Sequence, residues 1–168
     1  MEKMTFSTSI NAPKEKVWET LWDDASYRQW TLPFCDGSYL VTDDYKEGSK
    51  ILFMAPDNNG MVSKVAANRP NEFMSFEHQG EVKNGVEDTT SDAVKAWAGA
   101  HENYTLSETD GATELLAEVD ITDDFKGYFE KIFPLALENV KALAEGNPVK
   151  NGPPKPKEQP KVSEESLN

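Results

Sequence analysis

Hydrophobic and polar residues alternate at the start of the chain. Met4, Phe6, Thr8 and Ile10 fall on one side, and Thr5, Ser7 and Ser9 fall on the other. A period of two predicts a half-buried strand. The period then changes: Val17, Trp18, Leu21 and Trp22 share one face of a 3.6-residue repeat, which predicts a helix directly after the strand. Asn11 is the expected N-cap, and Pro13 lies near the first helical position, where its missing N–H removes no bond. Residues 23–30 predict a second short helix, capped by Asp23 or Asp24 and packing Tyr27 and Trp30.

Strand-like segments follow at residues 38–41, 48–55, 61–67 and 72–79. Pro56-Asp57-Asn58-Asn59-Gly60 is a strong hairpin signal, and Asn68-Arg69-Pro70-Asn71 is a second turn. Connections this short predict an antiparallel meander. Within residues 72–79, Met74, Phe76 and His78 oppose Phe73, Ser75 and Glu77. Residues 80–99 interrupt the rhythm. Their first half reads as a loop without period, and residues 91–98 predict a helical turn with Val94 and Trp97 on one face. An insertion of this size is commonly functional, and its tryptophan suggests a lid over a cavity mouth.

Two further strands, residues 100–108 and 112–122, flank the turn signal Asp110-Gly111. Thr113, Leu115, Ala117, Val119 and Ile121 share one face of the second. Residues 124–145 then predict the longest helix, with a stripe through Phe125, Phe129, Ile132, Phe133, Ala136, Val140 and Leu143, Pro134 inside it and Gly146 at its end. These elements make one domain, residues 1–146. Residues 147–168 hold half of the 10 prolines, together with Lys, Glu and Ser, and are expected to be a disordered tail.

A length of 168 residues suffices for a single domain with its own core. The formal charge of −13 repels phosphate backbones and anionic lipid surfaces, so neither nucleic acid nor membrane docking is expected. No apolar run approaches the ~20 residues needed to span a bilayer. Cys35 is the only cysteine, which excludes an intramolecular disulfide, and with His78 and His101 it shows no metal-ligand spacing. No cofactor is expected. Glu2 and Lys3 stand among alternating residues where a secretory leader would be apolar, so the expected compartment is the cytoplasm.

The order strand, two helices, six strands, long helix carries a resemblance. So do Ile10-Asn11-Ala12-Pro13 with Val17-Trp18, then Trp30, then Asp110-Gly111-Ala112-Thr113, and the run from Phe133-Pro134-Leu135 through Ala136-Leu137-Glu138 to Asn139-Val140-Lys141. On these residues the chain resembles the START/SRPBCC superfamily, and within it the branch named after the activator of heat-shock protein ATPase homologue. The resemblance spans residues 4–146. It implies an α+β helix-grip fold: a seven-stranded curved antiparallel sheet, two short helices and one long C-terminal helix enclosing a mostly apolar cavity. Members of the superfamily bind lipids, sterols, polyketides or plant hormones, and a few catalyse cyclisation or hydrolysis. The chaperone-activating relatives carry additional domains, so ligand binding is the leading expectation.

In such a fold Phe76, Tyr104, Leu115, Phe129 and Phe133 are the candidate lining residues, with His78 as the polar group that orients a ligand. His101, near Trp97, is placed at the mouth. Glu102 shares a strand face with Tyr104 and Leu106 and reads as a solvated edge carboxylate rather than a polar anchor. There is no Gly-x-Ser-x-Gly elbow and no phosphate-cradling glycine loop. The expected function is therefore binding of a small hydrophobic molecule by a monomer, without catalysis. The alternatives are a chaperone-linked interaction module whose acidic surface meets a basic patch, and a cyclase or hydrolase using His78 as base.

Overall fold

The first strand pairs with the last. In the computed structural model, which describes residues 1–154, β1 (Glu2–Ile10) lies antiparallel to β8 (Ala112–Ile121), with Glu2 opposite Ile121 and Ile10 opposite Thr113. Between them run α1 (Lys14–Trp22), α2 (Asp24–Trp30), β2 (Tyr39–Val41), β3 (Lys50–Met54), β4 (Gly60–Arg69), β5 (Phe73–Lys83), β6 (Val86–Asp88), α3 (Asp92–Lys95) and β7 (His101–Thr109). α4 (Asp123–Ala144) closes the fold. The curved sheet has the order β1-β8-β7-β5-β4-β3-β2, with β6 added beside β5, and every pairing is antiparallel.

The expected seven strands are eight. β5 runs on through Lys83 and turns back into β6, with Lys83 opposite Val86. Asn84 and Gly85 both have positive φ, 52° and 82°, as a two-residue hairpin whose turn matches the right-handed twist of its strands requires. The first half of the presumed loop is thus a hairpin, and its Asn-Gly pair carried that signal. Residues 91–98 do form a helical turn: Ser91 Oγ accepts from the Val94 N–H at 3.3 Å and caps α3.

The cap of α1 also differs from expectation. Pro13, not Asn11, occupies the N-cap, with extended backbone and no side-chain cap bond. Asn11 instead donates its backbone N–H to Glu145 Oε2 at 2.7 Å, tying the β1–α1 corner to the end of α4.

α4 grips the sheet with its C-terminal half. Phe133, Ala136, Leu137 and Val140 are buried in one cluster with Ile10, Leu115 and Ala117, and the Phe6 and Phe133 rings stack at 4.7 Å. From the other side, the Trp22 ring meets Phe76 and Tyr104 edge-on at 5.3 and 5.1 Å. The Trp30 indole N–H donates to the Leu21 carbonyl at 3.1 Å, locking α2 against α1. A second small cluster gathers Met54, Val62 and Val82.

Past α4 the chain is held by a buried polar side chain. Asn139 Oδ1 accepts from the N–H groups of Lys150 and Asn151 at 3.0 and 2.9 Å, and its Nδ2 donates to the Asn151 carbonyl at 2.8 Å. The expectation of disorder covered residues 147–168. Residues 150 and 151 are pinned to α4, and residues 155–168 lie outside the described residues.

Candidate functional site

The pairing of β4 and β5 slips by one residue in β5: Val62 faces Gly80, while Ser63 faces His78. This bulge sets the buried Ser63 hydroxyl against the imidazole, with Oγ 2.6 Å from His78 Nδ1. On the other side β5 pairs with β7, Phe76 opposite Glu102, so His78 and Glu102 are diagonal cross-strand neighbours. His78 Nε2 lies 3.1 Å from Glu102 Oε1, and Glu102 Oε2 accepts a short hydrogen bond from the Tyr104 hydroxyl. Four side chains from three adjacent strands therefore form one polar relay, Ser63–His78–Glu102–Tyr104.

One proton assignment satisfies every member. Burial pushes the Tyr104 phenol well above its usual range, and the charge of Glu102 pushes it further, so Tyr104 remains a donor. The other carboxylate oxygen then accepts from His78 Nε2–H. Nδ1 is left to accept the Ser63 hydroxyl proton.

The relay borders a cavity of about 580 Å³ between the sheet and the N-terminal half of α4. Its walls are mostly apolar: Phe53, Val82, Trp97, Val119, Phe125 and Phe129 contribute, and His78 and Glu102 bring the relay to the surface. α4 is solid at one end and hollow at the other. Phe125, Tyr128 and Phe129 are only half-buried, whereas Phe133, Ala136 and Val140 are fully packed. Phe34, in the loop after α2, props this hollow end, its ring centroid 5.9 Å from Phe129 and 5.5 Å from Phe133. Cys35 beside it also faces the cavity, and burial pushes its thiol up.

Of the residues expected from sequence, His78 and Phe129 line the cavity, as do Trp97 and His101. Phe76, Tyr104, Leu115 and Phe133 lie in the packed core, apart from the lining. Glu102 corrects an expectation. β7 sits between β5 and β8 rather than at an edge, and Glu102 shares the inward face of buried Tyr104 and Leu106, so the carboxylate meets His78 and joins the relay. Ser63 was missed altogether, because only the bulge brings it to His78. Its shared face with Tyr104 was the one sequence signal for Glu102.

The relay is not built for nucleophilic attack. Ser63 Oγ is sealed beneath His78 and does not reach the cavity. Both imidazole nitrogens already have protein partners. The cavity presents a ligand with the free side of the Glu102 carboxylate and the edge of His78. Among the described residues no three His, Cys, Asp or Glu side chains are grouped to hold a metal ion.

The phenols make the fold sensitive to alkali. Burial pushes Tyr45 and Tyr128 up to about 12, and it holds Tyr27 and Tyr104 well above the usual phenol range. A phenol whose folded pKa is raised contributes stability that is complete below its unfolded pKa and is lost as pH rises through the folded one. Stability is therefore expected to hold up to about pH 10 and then to fall steeply toward about pH 12. Urea midpoints measured alongside tyrosinate absorbance check this, and Tyr128→Phe should flatten the decline. Stability that is level across this range would contradict the burial of these rings.

Neither a protein-family model nor a curated protein matches the chain. Solved structures do match it. The Aha1 dimer structure from Colwellia psychrerythraea superposes with a TM-score of 0.64 at 19% identity, over 87% of this chain and 98% of that one. CalU16 from Micromonospora echinospora gives 0.59 at 17%, over 97% and 82%. DynU16, from the dynemicin biosynthetic locus, gives 0.60 at 16%, over 90% of this chain and 50% of its own. At these identities the likeness is one of fold. The chain is an α+β helix-grip protein, a curved eight-stranded antiparallel sheet closed by a long C-terminal helix. None of its described helices is long and apolar enough to cross a membrane.

Proposed function

We propose that this chain is a cytoplasmic, monomeric member of the START/SRPBCC superfamily that binds a small hydrophobic molecule, lipid-like or polycyclic, in the cavity under α4. The observation that carries this reading is the cavity itself: about 580 Å³ of mostly apolar space with one polar relay at its wall. Such a site takes its affinity from apolar burial, at roughly 25 cal/mol per Å² removed from water, and its orientation from a few polar groups. The test uses Nile red, a neutral lipophilic dye. The expected result is saturable one-to-one binding that slows alkylation of Cys35, the single thiol, by N-ethylmaleimide. Absence of saturable binding together with unchanged Cys35 alkylation would overturn the reading. A native mass spectrum and solvent extraction of the purified protein would then name the class of any resident ligand.

A second reading, a cyclase or hydrolase, draws on the imidazole–carboxylate pair at the cavity wall. A His78→Ala variant that still binds ligand but no longer turns it over would distinguish enzyme from carrier. A third, a chaperone-linked interaction module, is motivated by the likeness to the Aha1 dimer structure. Its acidic surface would capture a basic partner, and loss of that capture at high salt is its signature.

A further inference from the structure

We infer that the cavity selects hydrophobic ligands bearing a hydrogen-bond donor, above all a protonated amine, over ligands bearing a carboxylate, and that Glu102 sets this preference. The inference rests on the cavity-binding reading above and deepens it.

The relay supplies acceptors and withholds donors. Glu102 is 21% exposed at the cavity wall, and each of its oxygens accepts one bond from the protein. A carboxylate has about four lone-pair sites, so two remain for a ligand. The donors beside it are already committed: Tyr104 O–H to Glu102, and His78 to Glu102 at one nitrogen and Ser63 at the other. A carboxylate-bearing ligand set against Glu102 would meet a like charge and no donor from the relay, whereas an ammonium would complete the unused acceptors.

The rest of the wall has the same sign. Asp57, Glu81 and Asp120 also border the cavity. Against them stand Lys83, which lies in the field of Asp88, and the Met1 amino end, which is largely exposed. A concave, mostly apolar wall focuses such a field on the space inside it.

The experiment competes three ligands of equal chain length, dodecylamine, dodecanol and dodecanoate, against Nile red on the full chain at neutral pH and fixed ionic strength. The amine is expected to bind at least about tenfold more tightly than dodecanoate, with the alcohol between them. Glu102→Gln should bring amine and carboxylate to within about twofold of each other, while Glu15→Gln, which removes an equal charge from an exposed helix position, should leave the preference intact. Dodecanoate binding as tightly as the amine in the unaltered protein would overturn the inference without any variant. A preference undiminished in a folded Glu102→Gln protein would overturn the role of Glu102. Displacement by dodecanol with no amine preference refutes the selectivity alone, whereas absence of saturable Nile red binding together with unchanged Cys35 alkylation refutes the cavity-binding reading as well.

Discussion

Phe76→Ala is expected to lower the free energy of unfolding by about 3–5 kcal/mol, the usual range for emptying a buried phenylalanine site. Phe76 lies in the middle of β5, between Val65 of β4 and Glu102 of β7, and is fully buried. Its ring is enclosed by Trp22 at 5.3 Å and Phe53 at 5.1 Å, both edge-on. Those neighbours are large rings held by their own strand and helix, so the vacated volume cannot readily collapse. Urea denaturation with matched m-values measures the loss. The same experiment separates core from cavity wall. A loss below about 1 kcal/mol combined with sharply weakened Nile red binding would show that Phe76 belongs to the ligand space, because a residue that already borders empty volume gives up fewer contacts.

Gly80→Ala is expected to cost about 3 kcal/mol, at the upper end of ordinary single substitutions, and to act on one region. A Cβ at Gly80 would stand 2.1 Å from the Asp88 carbonyl oxygen and 2.9 Å from Thr89 Cγ2. The first of these is backbone, so the β5–β6 hairpin must open where Glu81 faces Asp88. The disturbance would spread through Asp88, whose Oδ1 accepts from the Thr90 and Ser91 N–H groups at 3.1 and 3.0 Å. Ser91 in turn caps α3, which leads to Trp97 on the cavity wall. Hydrogen exchange should therefore quicken across residues 86–99, while β1, β7 and β8 retain their protection. Unchanged exchange in that segment would mean that the hairpin adjusts without strain.

The residues that were readable from sequence and those that were not differ in how far away their partners lie. The strand–helix switch at the start of the chain follows from a change of period within some twenty neighbouring positions. The inward face of β8, Thr113 through Ile121 at alternate positions, is buried as its pattern predicts. The Asn84-Gly85 turn was equally local, and it was overlooked because the polar residues around it have no period of their own. Glu102 is a different case. Its spacing with Tyr104 placed both on one face, but no pattern within β7 says whether that strand lies at an edge or in the middle of a sheet. Asn139 reads as a polar break in an apolar stripe. It is buried because the backbone of Lys150 and Asn151 returns to it.

By itself, the sequence determined the order of strands and helices apart from β6, most of their turns, the inward faces of β5 and β8, and the strongly acidic net charge. Each of these depends on neighbouring residues or on summed charge, and needs no knowledge of which segments meet. Tertiary structure decided the pairing of β1 with β8, the bulge that sets Ser63 against His78, the interior place of β7 that brings Glu102 beside His78, and which half of α4 stays hollow. Those features depend on contacts between residues 15 to more than 100 positions apart, which no local period encodes.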